Sequence, residues 1–203
     1  MAKNLLYLAS ASKSRQKLLE EARIPYRLLS HKSEENLVFN CVSLLDQVKA
    51  IAVDKIDKVI IPQSLNESKI AVLTADTMMK SKGRILGKPR DLEDAKNMLR
   101  WMRDAEIEVI SVAVLAIFQK ENGEWIVIDK NILEGFAKIL FMVPEEMLDD
   151  YFRNLPDALA AAGAGIIEGY GAQFLKHIEG CYTTVIGLPM FQLMSILNEK
   201  KLR

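Results

Sequence analysis

Apolar residues along this chain fall into two patterns: short unbroken runs, which predict buried strands, and returns at every third or fourth position, which predict helices. Residues 5 to 9 form such a run, and Ser10, Ala11 and Ser12 follow it directly before a helical pattern carried by Leu18, Leu19 and Ala22. Ser12 is placed to cap that helix. A second strand is expected over residues 24 to 29, a polar segment over 30 to 35, and a helix over 43 to 59. The run at 70 to 73 predicts a strand delivering Asp76 and Thr77, with Lys82-Gly83 as a tight turn before residues 84 to 86. Asp91 and Asp94 begin a helix continuing to about residue 103, with Asp91 as its cap. Residues 109 to 118 and 125 to 128 flank Glu121-Asn122-Gly123, the signature of a hairpin, and a further strand is expected over 132 to 142. Pro144-Glu145-Glu146 opens a short helix ending near residue 152, because proline suits the first helical position and acids suit the positive end of the helix dipole. An amphipathic helix over 191 to 197 ends the pattern.

Composition narrows the partners rather than the fold. The 203 residues are 50% apolar and 27% charged, ordinary for a globular protein, and no repeat or low-complexity tract divides them, so a single domain over 1–203 is expected. With 27 basic and 27 acidic residues the net charge is zero, and the global field attracts neither a nucleic-acid polymer nor an anionic membrane. An anion site must therefore be local. Cys41 and Cys181 lie far apart with no CxxC spacing, and His31 and His177 form no zinc pattern. The opening MAKNLLYLASASKSR has too short an apolar run for a signal peptide, and eighteen uncharged apolar residues occur nowhere together. A cytoplasmic location is the expectation.

Two stretches carry candidate chemistry. At residues 10 to 15 a strand runs into a helix N-terminus, whose free amides and positive dipole end favour an anion, and Ser10, Ser12, Lys13 and Arg15 add hydroxyls and cations. The plainer alternative is a capping serine beside exposed cations. At residues 73 to 91, LTADTMMKSKGRILGKPRD, the carboxylate of Asp76 precedes Lys88 and Arg90; alternatively Asp76 only terminates a strand and the cations form a solvated face. This stretch is not a P-loop, because only three residues separate Gly83 from Gly87 and Lys88 is followed by Pro89. Nor does it suit an aspartyl-phosphate phosphatase of the haloacid-dehalogenase type, since Met78 stands where a second Asp is needed. Lys49 falls within the second expected helix, where a surface position is the default. Glu34 and Glu35 suit either a first-turn acidic pair or a cation site, and the glycines at 169 and 171 suit either close approach to a ligand or simple turns.

Taken together, LASASKSRQKLLEEARIPY, LTADTMMKSKGRILGKPRDLEDA, GIIEGYGA and IEGCYTTVIGLP resemble, in order and spacing, the Maf family of nucleoside-triphosphate pyrophosphatases, also known as septum formation inhibitor Maf-like proteins. The related inosine-triphosphatase family shares the fold, but its opening motif has Asn and Lys where this chain has SASKSR. The resemblance implies an α/β fold, with an extended mixed sheet flanked by helices and two lobes around a cleft. It implies hydrolysis of the bond between the α and β phosphates of non-standard or modified nucleotides, with a divalent cation, magnesium or manganese. By the same resemblance Asp76 matches the catalytic proton acceptor; Ser10, Ser12, Arg15, Lys49 and Lys88 match the phosphate-side residues; and Glu35, with Asp76, matches the metal side. The chemistry agrees with those types, because phosphoryl transfer needs cations against developing negative charge and a base that orients water.

The chain departs from the family pattern in two places. Ala160-Ala161 stands where Asp-Lys is usual, and Glu106-Ile107 where Thr-His is common. Three positions that the resemblance links to base specificity, Ser14, Thr77 and Glu168, point in different directions. Thr77 matches the subgroup acting on dTTP, UTP and modified uridines, and Glu168 matches the 7-methyl-GTP subgroup. A carboxylate accepts two hydrogen bonds from the N1 and N2 donors of guanine, which makes a guanine-type or 7-methyl-GTP-type substrate the expectation, with dTTP/UTP as the alternative. A nucleotide-binding regulator of septum formation without turnover is a further alternative. A homodimer is a candidate assembly.

Overall fold

The computed structural model describes residues 6–33 and 43–202. After β1 (Leu6–Leu8) come α1 (Lys13–Glu21), β2 (Tyr26–Leu28), β3 (Ser30–His31), α2 (Leu44–Asp57), β4 (Val59–Ile60), the long β5 (Lys69–Ser81) and β6 (Arg84–Leu86). The chain continues through α3 (Leu92–Met102), β7 (Ile107–Glu121), β8 (Glu124–Phe141), α4 (Leu148–Asn154), β9 (Leu175–Gly180), α5 (Tyr182–Ile186) and α6 (Met190–Glu199). Ser12, Ser43 and Asp91 cap α1, α2 and α3, each side chain accepting from the amide three residues on and so satisfying a donor that the helix leaves open.

The fold is mixed α/β. Among the described residues a seven-stranded sheet has the order β2-β1-β5-β7-β8-β9, with β6 paired to β5, and β3 and β4 form a separate ribbon. β1 runs parallel to β2 and to β5, aligning Leu6 with Tyr26 and Ala71, and α1 supplies the crossover that a parallel pair requires. All three β1 residues are buried, as expected of a parallel strand with neighbours on both edges. β5 and β6 are joined through Lys82 and Gly83 at φ 48° and 78°, and β7 and β8 through Asn122 and Gly123 at φ 51° and 86°. Two successive positive φ values match the twist of a two-residue hairpin, which is why Gly occupies the second position in both.

Two local expectations change. Residues 125 to 128 and 132 to 142 are parts of one strand, β8. Asp129, Lys130 and Asn131 interrupt the apolar pattern but not the backbone, because their side chains find partners: Lys130 Nζ donates to Asp57 at 2.7 Å and Asp129 pairs with Lys200. Asp76 and Thr77 do not end a strand. β5 runs on to Ser81 and holds both in its middle, which removes the reading of Asp76 as a strand terminator.

The chain forms two compact units. The first takes in Met1–Asp76, Ser111–Gly135 and Gly187–Arg203, and the second Thr77–Ile110 and Phe136–Ile186. Three of the four boundaries fall inside β5, β7 and β8, and the fourth falls at the end of α5, so no long linker marks them. In the first unit β1 and residues 70–73 of β5 are buried, and α2 turns Val48, Ile51, Ala52 and Ile56 inward at helical spacing. In the second, Met79, Met98, Leu99 and Met102 pack with an aromatic group in which Tyr151 meets Phe152, Phe174 and Phe141 edge to face, ring centres 5.2 to 6.1 Å apart. Among the described residues no helix is long and apolar enough to cross a membrane.

Candidate active site

The turn from β1 into α1 builds the first part of the site, in the first unit. Ser10 is buried, and its Oγ accepts from the amide of Ser12 at 3.3 Å and from Nη1 of Arg15 at 3.2 Å. Nε of Arg15 donates to the carbonyl of Gly187 at 3.0 Å. Arg15 is only 9% exposed, so it is not a surface cation, whereas Lys13 is exposed as a capped helix start alone would have it. Burial pushes the Arg15 guanidinium below the ordinary arginine value, and attraction to Asp76 acts in the opposite direction. A buried guanidinium bonded to the neutral oxygens of Ser10 and Gly187 is already stripped of much of its water, which strengthens its interaction with an anion.

The second part is an α2–β5 contact, also within the first unit. Thr74 Oγ1 donates to the carbonyl of Ala52 at 2.9 Å. One turn further along the helix, Lys55 Nζ donates to Oδ1 of Asp76 at 2.6 Å and to the carbonyl of Ala75 at 3.3 Å. The Lys55 and Asp76 side chains are only 13% and 17% exposed. Lys55 was not foreseen from the sequence, yet a signal was there. It stands seven residues after Val48, on the same stripe as Ile51, Ala52 and Ile56, where an apolar residue belongs.

Lys49 does not reach Asp76. Its Nζ donates to Oε1 of Glu134 on β8 at 3.1 Å, with the two side chains 42% and 31% exposed. The Glu134 carbonyl in turn accepts from Gln192 Nε2 at 3.1 Å. Glu134 is thus a second residue that sequence reasoning missed, and no spacing marks it, because its partner lies 85 positions away. Ser14 is half-buried in the first turn of α1, next to Arg15. Glu35 lies outside the described residues.

The remaining expected residues belong to the second unit. Thr77 is half-buried and adjoins Asp76 on β5, and Lys88 is exposed between β6 and α3. Arg90 pairs with Asp94 on the surface, 3.1 Å apart, so for that residue the solvated-face alternative is correct. The amide of Gly163 donates to the carbonyl of Gly87 at 2.9 Å, fastening the stretch before Lys88 to the glycine-rich segment. Glu168 is half-buried at the start of a short 3-10 turn, and its carbonyl accepts from the amide of Gly171 at 2.9 Å. A Cβ on Gly171 would lie 1.8 Å from the carbonyl oxygen of Ile166, so this glycine serves a tight backbone approach. Where the family pattern has Thr-His, Glu106 pairs with Lys138 at 3.0 Å and its carbonyl accepts from Ser81 Oγ at 3.3 Å. Among the described residues no group of three or more His, Cys, Asp or Glu side chains gathers as a ready-made metal cage.

Comparison with known proteins places the chain in one family over nearly its whole length. The sequence model of a family described as Maf-like protein matches residues 5–200. The chain is similar to the dTTP/UTP pyrophosphatase of Ruminiclostridium cellulolyticum, 30% identical over 96% of this chain and 97% of that protein. It is similar to the dTTP/UTP pyrophosphatase of Bacillus cytotoxicus, 34% identical over 95% of this chain and 93% of the other. A third relative, the nucleoside triphosphate pyrophosphatase of Prochlorococcus marinus, is 27% identical over 98% of this chain and its own full length.

Proposed function

Because the chain belongs to the Maf-like protein family, we propose that it hydrolyses dTTP and UTP between the α and β phosphates, releasing a nucleoside monophosphate and pyrophosphate. The names of its relatives agree on nucleoside triphosphate pyrophosphatase activity. They lend no support to the guanine-type or 7-methyl-GTP-type substrate expected from Glu168, and favour the dTTP/UTP alternative instead. A carboxylate at Glu168 also accepts the single N3–H donor of thymine or uracil, so this residue does not by itself select guanine.

The observation that carries the reading is that one compact unit holds a carboxylate fixed in mid-strand, Asp76, together with a buried guanidinium, Arg15, that feels its charge. Asp76 takes the proton from the attacking water. The water oxygen bonds to the α phosphorus, the bridging oxygen leaves with its electron pair, and pyrophosphate departs. Oδ1 of Asp76 is engaged by Lys55, so Oδ2 is the oxygen assigned to the proton. Arg15, Ser10, Ser12, Lys49 and Lys88 are the groups assigned to the phosphates, where cations and hydroxyls offset the charge that builds on the oxygens. Ser14, Thr77 and Glu168 are assigned to the base. The carboxylate of Asp76 suits magnesium or manganese, because such ions take one or two carboxylates along with substrate phosphates, and Glu35 is the second ligand proposed. The ion would neutralise phosphate charge.

The test is pyrophosphate release from a panel of nucleoside triphosphates with magnesium. The expected result is turnover with dTTP and UTP ahead of every purine triphosphate. Faster turnover of a guanine nucleotide would overturn the base assignment, and tight binding with no release from any of them would leave the regulator reading.

A further inference from the structure

We infer that Lys55 is the positioning residue for Asp76: it fixes one carboxylate oxygen so that the other faces the attacking water, and it does not bind the substrate phosphates. This rests on the reading of Asp76 as the proton acceptor. The placement of Lys55 is unusual for a lysine. It occupies the apolar stripe of α2 between Ala52 and Ile56, both buried, and burying an ammonium is costly unless acceptors replace its water. Here Oδ1 of Asp76 at 2.6 Å and the carbonyl of Ala75 at 3.3 Å replace it. The short distance is that of a charge-assisted bond, and with both side chains mostly buried the pair is not a screened surface contact.

The surroundings make the contact stiff. Thr74 Oγ1 on the Ala52 carbonyl fastens the same helix to the same strand one turn before Lys55, which sets the register in which Lys55 meets Asp76. Acceptors from both the backbone and the side chain of β5 help define where the ammonium sits, and the ammonium helps define the rotation of the carboxylate. The two lysines of α2 therefore have different tasks. Lys49 is the more exposed and pairs with Glu134 at 3.1 Å, so it can exchange that partner for a phosphate, whereas Lys55 is enclosed and bonded to the base at 2.6 Å. Loss of such positioning shows in the chemical step, because a displacement of about 1 Å at a reacting group costs on the order of 100-fold.

The experiment compares wild type, Lys55→Met, Lys55→Arg and Asp76→Asn on dTTP with magnesium, reading kcat, KM and the melting temperature. For Lys55→Met the expected result is a kcat lower by about 10- to 100-fold with KM little changed. Lys55→Arg, which keeps the charge and the donors, retains most of kcat. A Lys55→Ala variant supplies the independent readout: added ethylammonium should raise its kcat to a plateau, while tetramethylammonium at equal ionic strength should not. Wild-type kcat in Lys55→Met overturns the proposal, as does a rise in KM at constant kcat, which would make Lys55 a phosphate ligand. A wild type without turnover on any triphosphate would remove the hydrolase reading and this proposal together. A wild type that turns over, an inactive Asp76→Asn and a fully active Lys55→Met would remove the positioning role alone. Should Lys55→Met fail to fold, Lys55→Arg and the amine response decide: an inactive, folded Arg variant with no response to ethylammonium overturns the proposal.

Discussion

Nε of Arg15 donates to the carbonyl oxygen of Gly187 at 3.0 Å, joining the first turn of α1 to a residue 172 positions further along the chain. The same guanidinium bonds Ser10 Oγ at 3.2 Å, so a single side chain ties the β1–α1 turn to the segment that leads into α6. Replacing it should therefore affect both stability and binding. Arg15→Ala is expected to cost about 1.5–3 kcal/mol of stability, the range for hydrogen bonds made by a charged group. It should also weaken triphosphate binding far more than monophosphate binding, because its proposed partners are the phosphates rather than the base. Denaturant unfolding and titration with both nucleotides check the two parts, and equal losses for the two ligands would contradict the phosphate assignment. Lys88→Ala should show the same ligand asymmetry with little loss of stability, since Lys88 is exposed.

Asp76→Asn should keep the fold and lose turnover by about 100- to 10,000-fold, the range for general-base catalysis. The amide is nearly isosteric and its carbonyl oxygen can still accept from Lys55, but it does not take up a proton. A variant that retains turnover would remove Asp76 as the base.

Glu134→Gln should lower KM for triphosphates. The Lys49–Glu134 contact is part-exposed, and such pairs contribute about 0.2–1 kcal/mol. Removing the carboxylate charge releases up to that amount toward a phosphate, so KM is expected to fall by up to about five-fold with kcat unchanged. A rise in KM would mean that Glu134 holds Lys49 in its working position rather than competing with substrate.

Tyr151→Phe tests the packing beneath the glycine-rich segment. The hydroxyl donates to the carbonyl of Ala164 and accepts from the amide of Ile166, both at 2.8 Å, and Gly163 and Ala164, immediately before and at the first of these anchors, have φ of 61° and 56°. Loss of the hydroxyl leaves two backbone groups without that partner, at an expected cost of about 1–3 kcal/mol. Burial also pushes the Tyr151 phenol well above its ordinary value of 10.0. A raised phenol in the folded state means that its contribution is complete below the unfolded value and is lost as the pH climbs above it, because only the unfolded chain releases the proton. Wild type should therefore lose stability more steeply than Tyr151→Phe above about pH 10, as measured by chemical unfolding at a series of pH values.

The sequence by itself determined what depends on neighbours along the chain. Ser12, Ser43 and Asp91 cap their helices through bonds spanning three residues, and Lys82-Gly83 and Asn122-Gly123 turn their hairpins through their own φ angles, so no distant contact was needed to read them. The motif resemblance was legible for the same reason, since it lies in the order and spacing of residues. Only the tertiary structure decided which charges meet. Lys49 and Lys55 share one helix, and either long side chain could have served Asp76; the register of α2 on β5, held by Thr74 and Ala52, gives that contact to Lys55 and leaves Lys49 to Glu134. Burial of Arg15 likewise depends on Gly187, and the continuity of β8 through Asp129 and Lys130 depends on Lys200 and Asp57. Each of these partners is distant in the chain, and a polar residue in a pattern does not reveal whether folding will bring it a counter-charge or leave it in water.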